Sequence, residues 1–314
     1  MKKNEMIQHQ TAKVTIYSVF ILMFLVLFSS SHAAVLEDET GRRVNIPAHP
    51  GRIVSLAPDI TEVLFALGLE KEVVGVTQFS NYPEAARTKP KVGSYINLFL
   101  ERILGLHPDL IIGTTNGNRK EAVKKLEKAG VPVYVTNPEK FSDIYTMILN
   151  IGRITGRETA ARQLVGSMKK KTDRIVLLTA NCRKLKVFVQ IDSNPIVSVG
   201  RNTIYHELIN MAGGINIAGH VPVKYPRYSM ESLIKEQPEV ILLSSMSGEA
   251  YRKAAMDYWS RWKDIPAVRN QRIYFIDGDL ADRFSPRIVQ GLEEIAGILH
   301  PELVRPQISR GKSR

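Results

Sequence analysis

The chain has 314 residues, of which 44% are hydrophobic and 24% are charged, a balance typical of a soluble globular protein with one large or two medium domains. The net charge is +12 at pH 7. No groove-reading motif accompanies this charge, so nucleic acid is not expected as a partner and an anionic ligand or surface is favoured. Cys182 is the only cysteine, which excludes an internal disulfide bond.

Residues 1–33 have the pattern of a secretory signal peptide. Lysines precede the apolar run Val19–Phe28, and Ser31 and Ala33 supply the small side chains of a cleavage site, so cleavage is expected near Ala33. The uncharged apolar part, Val14–Phe28, has about 15 residues, whereas a helix that spans a membrane needs about 20. No cysteine directly follows this run, so a lipid anchor is not expected. We therefore predict a soluble, exported protein in the periplasm.

The first part of the exported chain alternates apolar strands with amphipathic helices. The helix after Pro58 is expected to begin with a capping box formed by Asp59 and Glu62. Strands are predicted at Arg43–Ile46, Ile53–Leu56, Val73–Val76, Leu110–Ile112 and Val131–Val135, with an ordered loop at Thr77–Tyr95 and a helix at Asn118–Ala129. This alternation predicts a parallel sheet.

A repeated pattern relates two distant parts of the chain. Leu100–Ile112 and Met230–Leu242 each read as a short helix, a proline and a buried strand. In this alignment Glu101 corresponds to Glu231, and His107 corresponds to Gln237. We infer two similar lobes, and we interpret His107 as a structural residue.

A long amphipathic helix is predicted between the repeats, from Arg157 to about Thr179. Apolar residues recur at helical spacing and charged residues fill the other positions. About 23 residues at 1.5 Å each reach roughly 34 Å, which matches the side of a small domain. This segment is therefore predicted to join the lobes as one rigid helix.

The second lobe repeats the alternation of the first. Its last helix is expected to have Ser285 as N-cap, Pro286 at its first position and an end near Leu299. Strands are predicted at Leu185–Ile191, Val197–Val199, Val240–Leu243 and Ile273–Ile276. The predicted fold is α/β, with two Rossmann-like lobes of mainly parallel sheets joined by one backbone helix. The boundaries are 34–156 for the N-terminal lobe, 157–180 for the helix, 181–301 for the C-terminal lobe and 302–314 for a basic tail.

Three polar loops are expected on the same rim of the two lobes. Val92–Asn97 and Val223–Tyr228 each precede a repeat helix and each carry a tyrosine, and Asp279–Arg283 follows a strand. Open parallel sheets bind ligands at the carboxyl ends of their strands. The alternative is that Tyr95 and Tyr225 merely cover the ends of the sheets.

Enzymatic motifs are not found in the sequence. Gly113–Gly117 follows a strand but lacks the Gly-Lys-Ser/Thr ending of a phosphate-binding loop, so we interpret it as a turn. The chain has no Gly-x-Ser-x-Gly or His-Glu-x-x-His motif, and its histidines are scattered singly, so neither a catalytic residue nor a metal ligand is predicted. An exported hydrolase on the same fold remains an alternative with no nucleophile and base that can be named.

The order of these motifs resembles the periplasmic substrate-binding proteins of ABC importers for cobalamin and ferric siderophores, in which one helix joins two lobes. The resemblance spans nearly all of the exported chain and looks closest to the cobalamin-binding branch. The residues that carry it are Ser55–Glu62, Val74–Pro83, Leu100–Ile103, Pro108–Ile111, Met211–Asn216 and Arg283–Arg287.

The resemblance implies a transport protein that is not an enzyme and has no cofactor. The implied ligand is cobalamin or another corrinoid, held by Pro58, by the aromatic residues Phe79, Tyr95 and Tyr225, and by the polar residues Asp279 and Arg283. A ferric siderophore or haem is the alternative, with Lys224, Arg227 and Arg283 facing an anionic complex or a tyrosinate binding iron. The implied partner is an ABC importer permease dimer in the inner membrane, on which Glu101 and Glu231 of a monomer would dock.

Overall fold

A computed structural model describes residues 34–245 and 249–304. The predicted signal peptide, 1–33, and most of the predicted basic tail, 305–314, lie outside the described residues. Within the described ranges, no helix is long and apolar enough to cross a membrane.

The N-terminal lobe contains a four-stranded sheet in which all strands are parallel. The strands of this lobe are β1 Ala34–Glu37, β2 Arg43–Ile46, β3 Ile53–Ser55, β4 Val73–Gly75, β5 Leu110–Thr114 and β6 Val133–Thr136. The order in the sheet is β4-β3-β5-β6, and β1 and β2 form a separate antiparallel pair in which Ala34 lies opposite Ile46. The helices are Pro58–Ala66, Glu84–Arg87, Leu100–Gly105, Lys120–Lys128 and Phe141–Ile154.

The C-terminal lobe contains a second parallel sheet. The strands of this lobe are β7 Leu185–Gln190, β8 Asp192–Ser193, β9 Ile196–Val197, β10 Gly214–Asn216, β11 Val240–Ser245 and β12 Ile273–Asp277. The order in the sheet is β10-β7-β11-β12. Its helices are Ile204–Met211, Met230–Glu236, Glu249–Trp259, Pro266–Arg269, Gly278–Ala281, Ile288–Leu299 and Pro301–Val304, with a 3-10 turn at Ile217–His220. The predicted α/β fold with two mainly parallel lobes is therefore confirmed.

Two predicted elements of the C-terminal lobe differ in the structure. The strand predicted at Val197–Val199 does not join the main sheet, because the chain turns back directly after β7 and β9 pairs with β8 as a short antiparallel hairpin. The last helix begins at Ile288, not at Pro286, because the Ser285 carbonyl accepts the Ile288 amide in a separate turn.

The strands supply apolar side chains to a core on each face of their sheet. Successive strand residues point to opposite faces. In β5, Leu110 and Ile112 join the large core while Ile111 joins a smaller core on the outer face. In β7, Val187 and Phe188 divide between the large core and a third core in the same way.

One helix, Glu158–Thr179, links the two lobes, and we call it the linking helix. Its buried side chains are spaced three and four residues apart, which places them on one face. This face packs into the large core, which continues through residues of both lobes. The buried residues are Ala161, Val165, Met168, Thr172, Ile175 and Thr179.

The sequence repeat has a backbone counterpart. His107 and Gln237 occupy equivalent places after the helices Leu100–Gly105 and Met230–Glu236, and both adopt the left-handed conformation, with φ of 47° and 51°. This conformation stops a helix and turns the chain towards the following strand. His107 therefore has a structural counterpart in the other lobe.

Candidate functional site between the lobes

A cleft separates the two lobes at the carboxyl ends of their strands. Its main cavity has a volume of about 920 Å³, which lies within the range of about 300–1,000 Å³ typical of small-molecule sites. All six predicted ligand-binding residues line this main cavity: Pro58, Phe79, Tyr95, Tyr225, Asp279 and Arg283. The loops that carry these residues therefore lie at the carboxyl ends of the strands, as the topology of parallel sheets predicts.

The N-terminal lobe contributes an aromatic wall. Phe79 and Tyr95 pack edge to face, with their ring centroids 5.8 Å apart and their planes inclined by 63°. Phe79 is 46% exposed although it is a large apolar side chain. Pro58, at the start of the helix that follows β3, completes this wall. An exposed apolar surface of this kind marks a binding site more often than a structural contact.

The position of Tyr95 is fixed by the loop after β5. The Asn118 amide donates hydrogen bonds to the carbonyl oxygens of Tyr95, at 2.7 Å, and Leu56, at 3.0 Å. The Asn118 side-chain oxygen accepts the Thr114 amide at 2.8 Å, which closes the segment Gly113–Gly117 as a turn. The turn interpretation of this segment agrees with the observed geometry.

The C-terminal lobe places Tyr225 opposite the aromatic wall. Tyr225 is 57% exposed and borders both the main cavity and an adjoining side cavity of about 590 Å³. Asn116, Asp282 and Phe284 also border both, so the two cavities form one continuous cleft. Lys224 lines the side cavity, whereas Arg227 is absent from the described lining of both cavities.

Arg283 and Asp279 form an ion pair at the base of the cleft, with 2.5 Å between Nη2 and Oδ1. Arg283 also donates to Glu62 and to the Asn81 side-chain oxygen, each at 2.8 Å. The Asn81 amide in turn donates to Asp279 at 2.8 Å. Both predicted polar ligand contacts are therefore already engaged with residues of the N-terminal lobe.

The capping box predicted for Asp59 and Glu62 is wrong. The N-cap is Ala57, two residues before Asp59, and no side chain caps the helix. Asp59 accepts the adjacent Ile60 amide at 2.9 Å, while Glu62 points to two arginines of the other lobe. These arginines lie more than 200 positions away in sequence, so a local pattern could not reveal them.

The cleft is acidic although the chain as a whole is basic. Among the described residues, four carboxylates line the main cavity against two guanidinium groups: Asp59, Asp277, Asp279 and Asp282 against Arg252 and Arg283. Burial raises the pKa of Asp59 to about 6. Burial likewise raises the pKa of Asp282, with the nearby charge of Asp279 adding to the effect.

Two phenols of the cleft have raised pKa values. Burial, followed by the charge of Asp282, raises the pKa of Tyr225. The pKa of the buried Tyr205, in the side cavity, is raised well above its ordinary value for the same reasons. Tyr205 donates to Ser244 at 2.8 Å, and Ser244 donates to Asp282 at 3.2 Å. Both phenols therefore carry their protons at neutral pH.

Glu101 and Glu231 lie on the surface of different lobes. Each is exposed and each occupies the first turn of its repeat helix. Each of these helices precedes a strand of a parallel sheet and runs antiparallel to that strand. Its first turn is therefore directed towards the end of the lobe that carries the cleft. Phe99, which directly precedes the first of these helices, is 46% exposed and lies under the guanidinium of Arg102 at 5.0 Å.

The fold is that of a bilobal ligand-capture protein, in which one helix links two parallel-sheet lobes and both lobes line the cleft. Residues 53–280 match the family described as periplasmic binding protein. The chain belongs to this family, whose members bind ligands for ABC transporters and are not enzymes.

Similar proteins with a named ligand include vitamin B12-binding and haem-binding proteins. The chain is 30% identical to a vitamin B12-binding protein of Vibrio parahaemolyticus over 247 residues, covering 78% of this chain and 87% of that protein. It is 31% identical to an uncharacterized ABC transporter substrate-binding lipoprotein of Bacillus subtilis, covering 85% of each. The periplasmic vitamin B12-binding protein structure of Vibrio cholerae superimposes with a TM-score of 0.71 at 26% identity, covering 82% of this chain and 98% of that one.

A haem-binding structure is equally similar in fold. The periplasmic haem-binding protein of Roseiflexus in its apo form superimposes with a TM-score of 0.73 at 28% identity, covering 80% of this chain and 98% of that one. The named relatives thus share ligand binding but differ in the ligand, vitamin B12 or haem. The choice of ligand rests on the side chains of the cleft.

Proposed function

We propose that this protein binds a corrinoid such as cobalamin in the cleft and delivers it to an ABC importer. A corrin is a broad, nearly flat ring, and the main cavity offers apolar rings on both walls, with Phe79 and Tyr95 facing Tyr225 across the gap. Aromatic rings stack favourably on flat conjugated surfaces. The similarity to vitamin B12-binding proteins supports the same ligand class.

The charge of the cleft is the observation that carries the choice of ligand. Haem brings propionates, and ferric catecholate siderophores are anionic, so both would meet the excess of carboxylates in the main cavity. Arg283 and Asp279 pair with each other, and the excess that remains is that of Asp59, Asp277 and Asp282 over Arg252. The periphery of a corrin carries neutral amides, whose N–H groups donate hydrogen bonds to carboxylates.

Ferric siderophore or haem binding is the second candidate, supported by the similar haem-binding structure and by Lys224 in the side cavity. Coordination of iron by a tyrosinate would require Tyr225 to lose its proton. Its raised pKa opposes that loss at neutral pH. This candidate therefore has less support than a corrinoid.

For delivery, we propose that a soluble monomer acts in the periplasm after removal of residues 1–33. Glu101 and Glu231 would each contact basic side chains on one subunit of a two-fold permease dimer. Two exposed acids, one on each lobe, suit a partner with two-fold symmetry.

The test is the absorption spectrum of the protein after incubation with excess cyanocobalamin and passage through a desalting column. Retention of the corrin bands at one equivalent is expected. The same treatment with haemin and with a ferric catecholate should leave the protein nearly colourless. A retained haem or iron–catecholate spectrum, with no retained corrin, would refute the proposal.

A further inference from the structure

Glu62 is a buried carboxylate whose side-chain hydrogen bonds, within the part of the chain that the structure describes, come from the other lobe. It belongs to the N-terminal helix Pro58–Ala66, and its side chain is only 1% exposed. Arg283 donates Nη1 to it at 2.8 Å, and Arg287 donates Nη2 at 2.8 Å and Nε at 2.9 Å. The two arginine side chains are themselves only 12% and 14% exposed.

Among the described residues, the ion pairs outside this cluster each have one side chain that is at least 32% exposed, whereas no side chain of the Glu62 pairs or of the adjoining Arg283–Asp279 pair is more than 16% exposed. Exposed pairs contribute little, whereas a buried carboxylate that loses its partners remains as an uncompensated charge. Separation of the lobes at this point would break three charge-assisted hydrogen bonds at once. The bidentate geometry of Arg287 also fixes orientation, because its guanidinium plane must align with the carboxylate.

Neighbouring residues extend the same junction. Asn81 accepts from Arg283 and donates to Asp279, and Arg287 lies 4.0 Å from the centroid of the Tyr82 ring. The segments that carry these groups also carry the cleft walls, since Phe79 precedes Asn81 by two residues. Elsewhere between the lobes, the described contacts include the hydrogen bond from the Phe141 amide to Glu207, at 2.6 Å.

We propose that Glu62 is a positioning residue that sets the separation of the two cleft walls by holding Arg283 and Arg287 of the opposite lobe. The linking helix joins the lobes through the chain and packs into the core that they share. The cluster of Glu62, Arg283 and Arg287 holds the two lobes together at the base of the cleft. It also orients Arg283, which lines the main cavity. The rigidity of the empty cleft therefore depends on this carboxylate, whatever ligand enters.

The test measures the distance between the lobes directly. Spin labels at Lys124→Cys and Lys235→Cys, on exposed helix positions of different lobes, are introduced in a Cys182→Ser background. Pulsed electron paramagnetic resonance should give one narrow distance distribution for the otherwise unchanged, ligand-free protein. With Glu62→Gln we expect the distribution to be at least twice as wide.

Glu72→Gln is the matched control, since Glu72 also pairs with an arginine, Arg157 at 3.1 Å, but lies away from the cleft. It should leave the distribution unchanged. Arg287→Gln removes the bidentate partner, keeps Glu62 paired with Arg283, and serves as the second variant if Glu62→Gln does not fold. An unchanged distribution in a folded Glu62→Gln protein, or in Arg287→Gln where only that variant folds, would overturn the proposal.

Discussion

Gly117 lies directly against the ring of Tyr95. A methyl group built at the Cα atom of Gly117 would stand 2.2 Å from the Tyr95 ring, well inside van der Waals contact. The φ angle of Gly117 is +130°, a value that residues other than glycine rarely adopt. The loop after β5 therefore positions the Tyr95 ring and leaves space for it at Gly117. One wall of the cleft depends on this glycine.

Gly117→Ala should displace Tyr95 and weaken ligand binding while the protein remains folded. We expect at least a tenfold rise in the dissociation constant for the bound corrinoid, measured by calorimetry, because the wall loses its shape. Gly166→Ala is the control. Gly166 lies in the linking helix with no atom within 4 Å of an added methyl, so that variant should gain about 0.5–1 kcal/mol of stability and keep its affinity. Equal affinities in the two variants would contradict the role of the loop.

Tyr95→Ala and Tyr225→Ala should each weaken ligand binding without unfolding the protein. Loss of one stacking face is expected to cost about 0.5–1.5 kcal/mol beyond the loss of buried area, hence a several-fold or greater loss of affinity. Phe99→Ala is the control, since Phe99 is also an exposed aromatic residue but does not line the described cavities. If both tyrosine variants bind as tightly as Phe99→Ala, the tyrosines only cover the sheet ends.

Asp59→Asn should stabilise the protein at neutral pH. The pKa of Asp59 is about 6 in the folded protein, against an ordinary value of 3.8. Between these values the folded protein retains a proton that the unfolded chain has lost, so stability falls as pH rises from about 4 to about 6. The asparagine keeps an oxygen for the Ile60 amide and has no such loss.

The gain from Asp59→Asn should therefore be small near pH 4 and reach the order of 3 kcal/mol above pH 6. Chemical denaturation at pH 4 and at pH 7.5 measures this difference. A gain that is equal at both pH values would show that the charge of Asp59 does not cause it.

Glu101→Ala and Glu231→Ala should preserve folding and ligand affinity but reduce uptake by the reconstituted importer, and the double variant should be the most impaired. Each acid also sits in a first helical turn, where the helix dipole accounts for about 0.3–1 kcal/mol. Glu121→Ala controls for that effect, since Glu121 is an exposed first-turn acid on another helix. Transport by the double variant at the rate of Glu121→Ala would rule out docking through these acids.

Features that depend on neighbouring residues could be predicted from the sequence. The spacing of Ala161, Val165 and Met168 predicts the linking helix, and the repeat predicts two similar lobes. Parallel topology then brings Tyr95 and Tyr225, which are 130 positions apart, to one cleft. None of these inferences requires a specific long-range contact.

Features that depend on pairing with another segment could not be predicted from the local pattern. Ala34–Glu37 gains its strand only by pairing with Arg43–Ile46, and Gly214–Asn216 is a strand only beside β7. Glu62 has the sequence context of a capping residue, yet its partners belong to the other lobe. The acidity of the cleft is likewise invisible in a chain whose net charge is +12, because folding gathers carboxylates from separate loops.

The acidic, aromatic cleft is expected to select a corrinoid over anionic iron complexes. Calorimetric titration of the ligand-free protein with cyanocobalamin, haemin and a ferric catecholate under one buffer condition compares the three affinities. We predict saturable one-to-one binding of cyanocobalamin, at least 100-fold tighter than binding of either iron complex. Tighter binding of haemin or of the ferric catecholate than of cyanocobalamin would show that the cleft does not select a corrinoid.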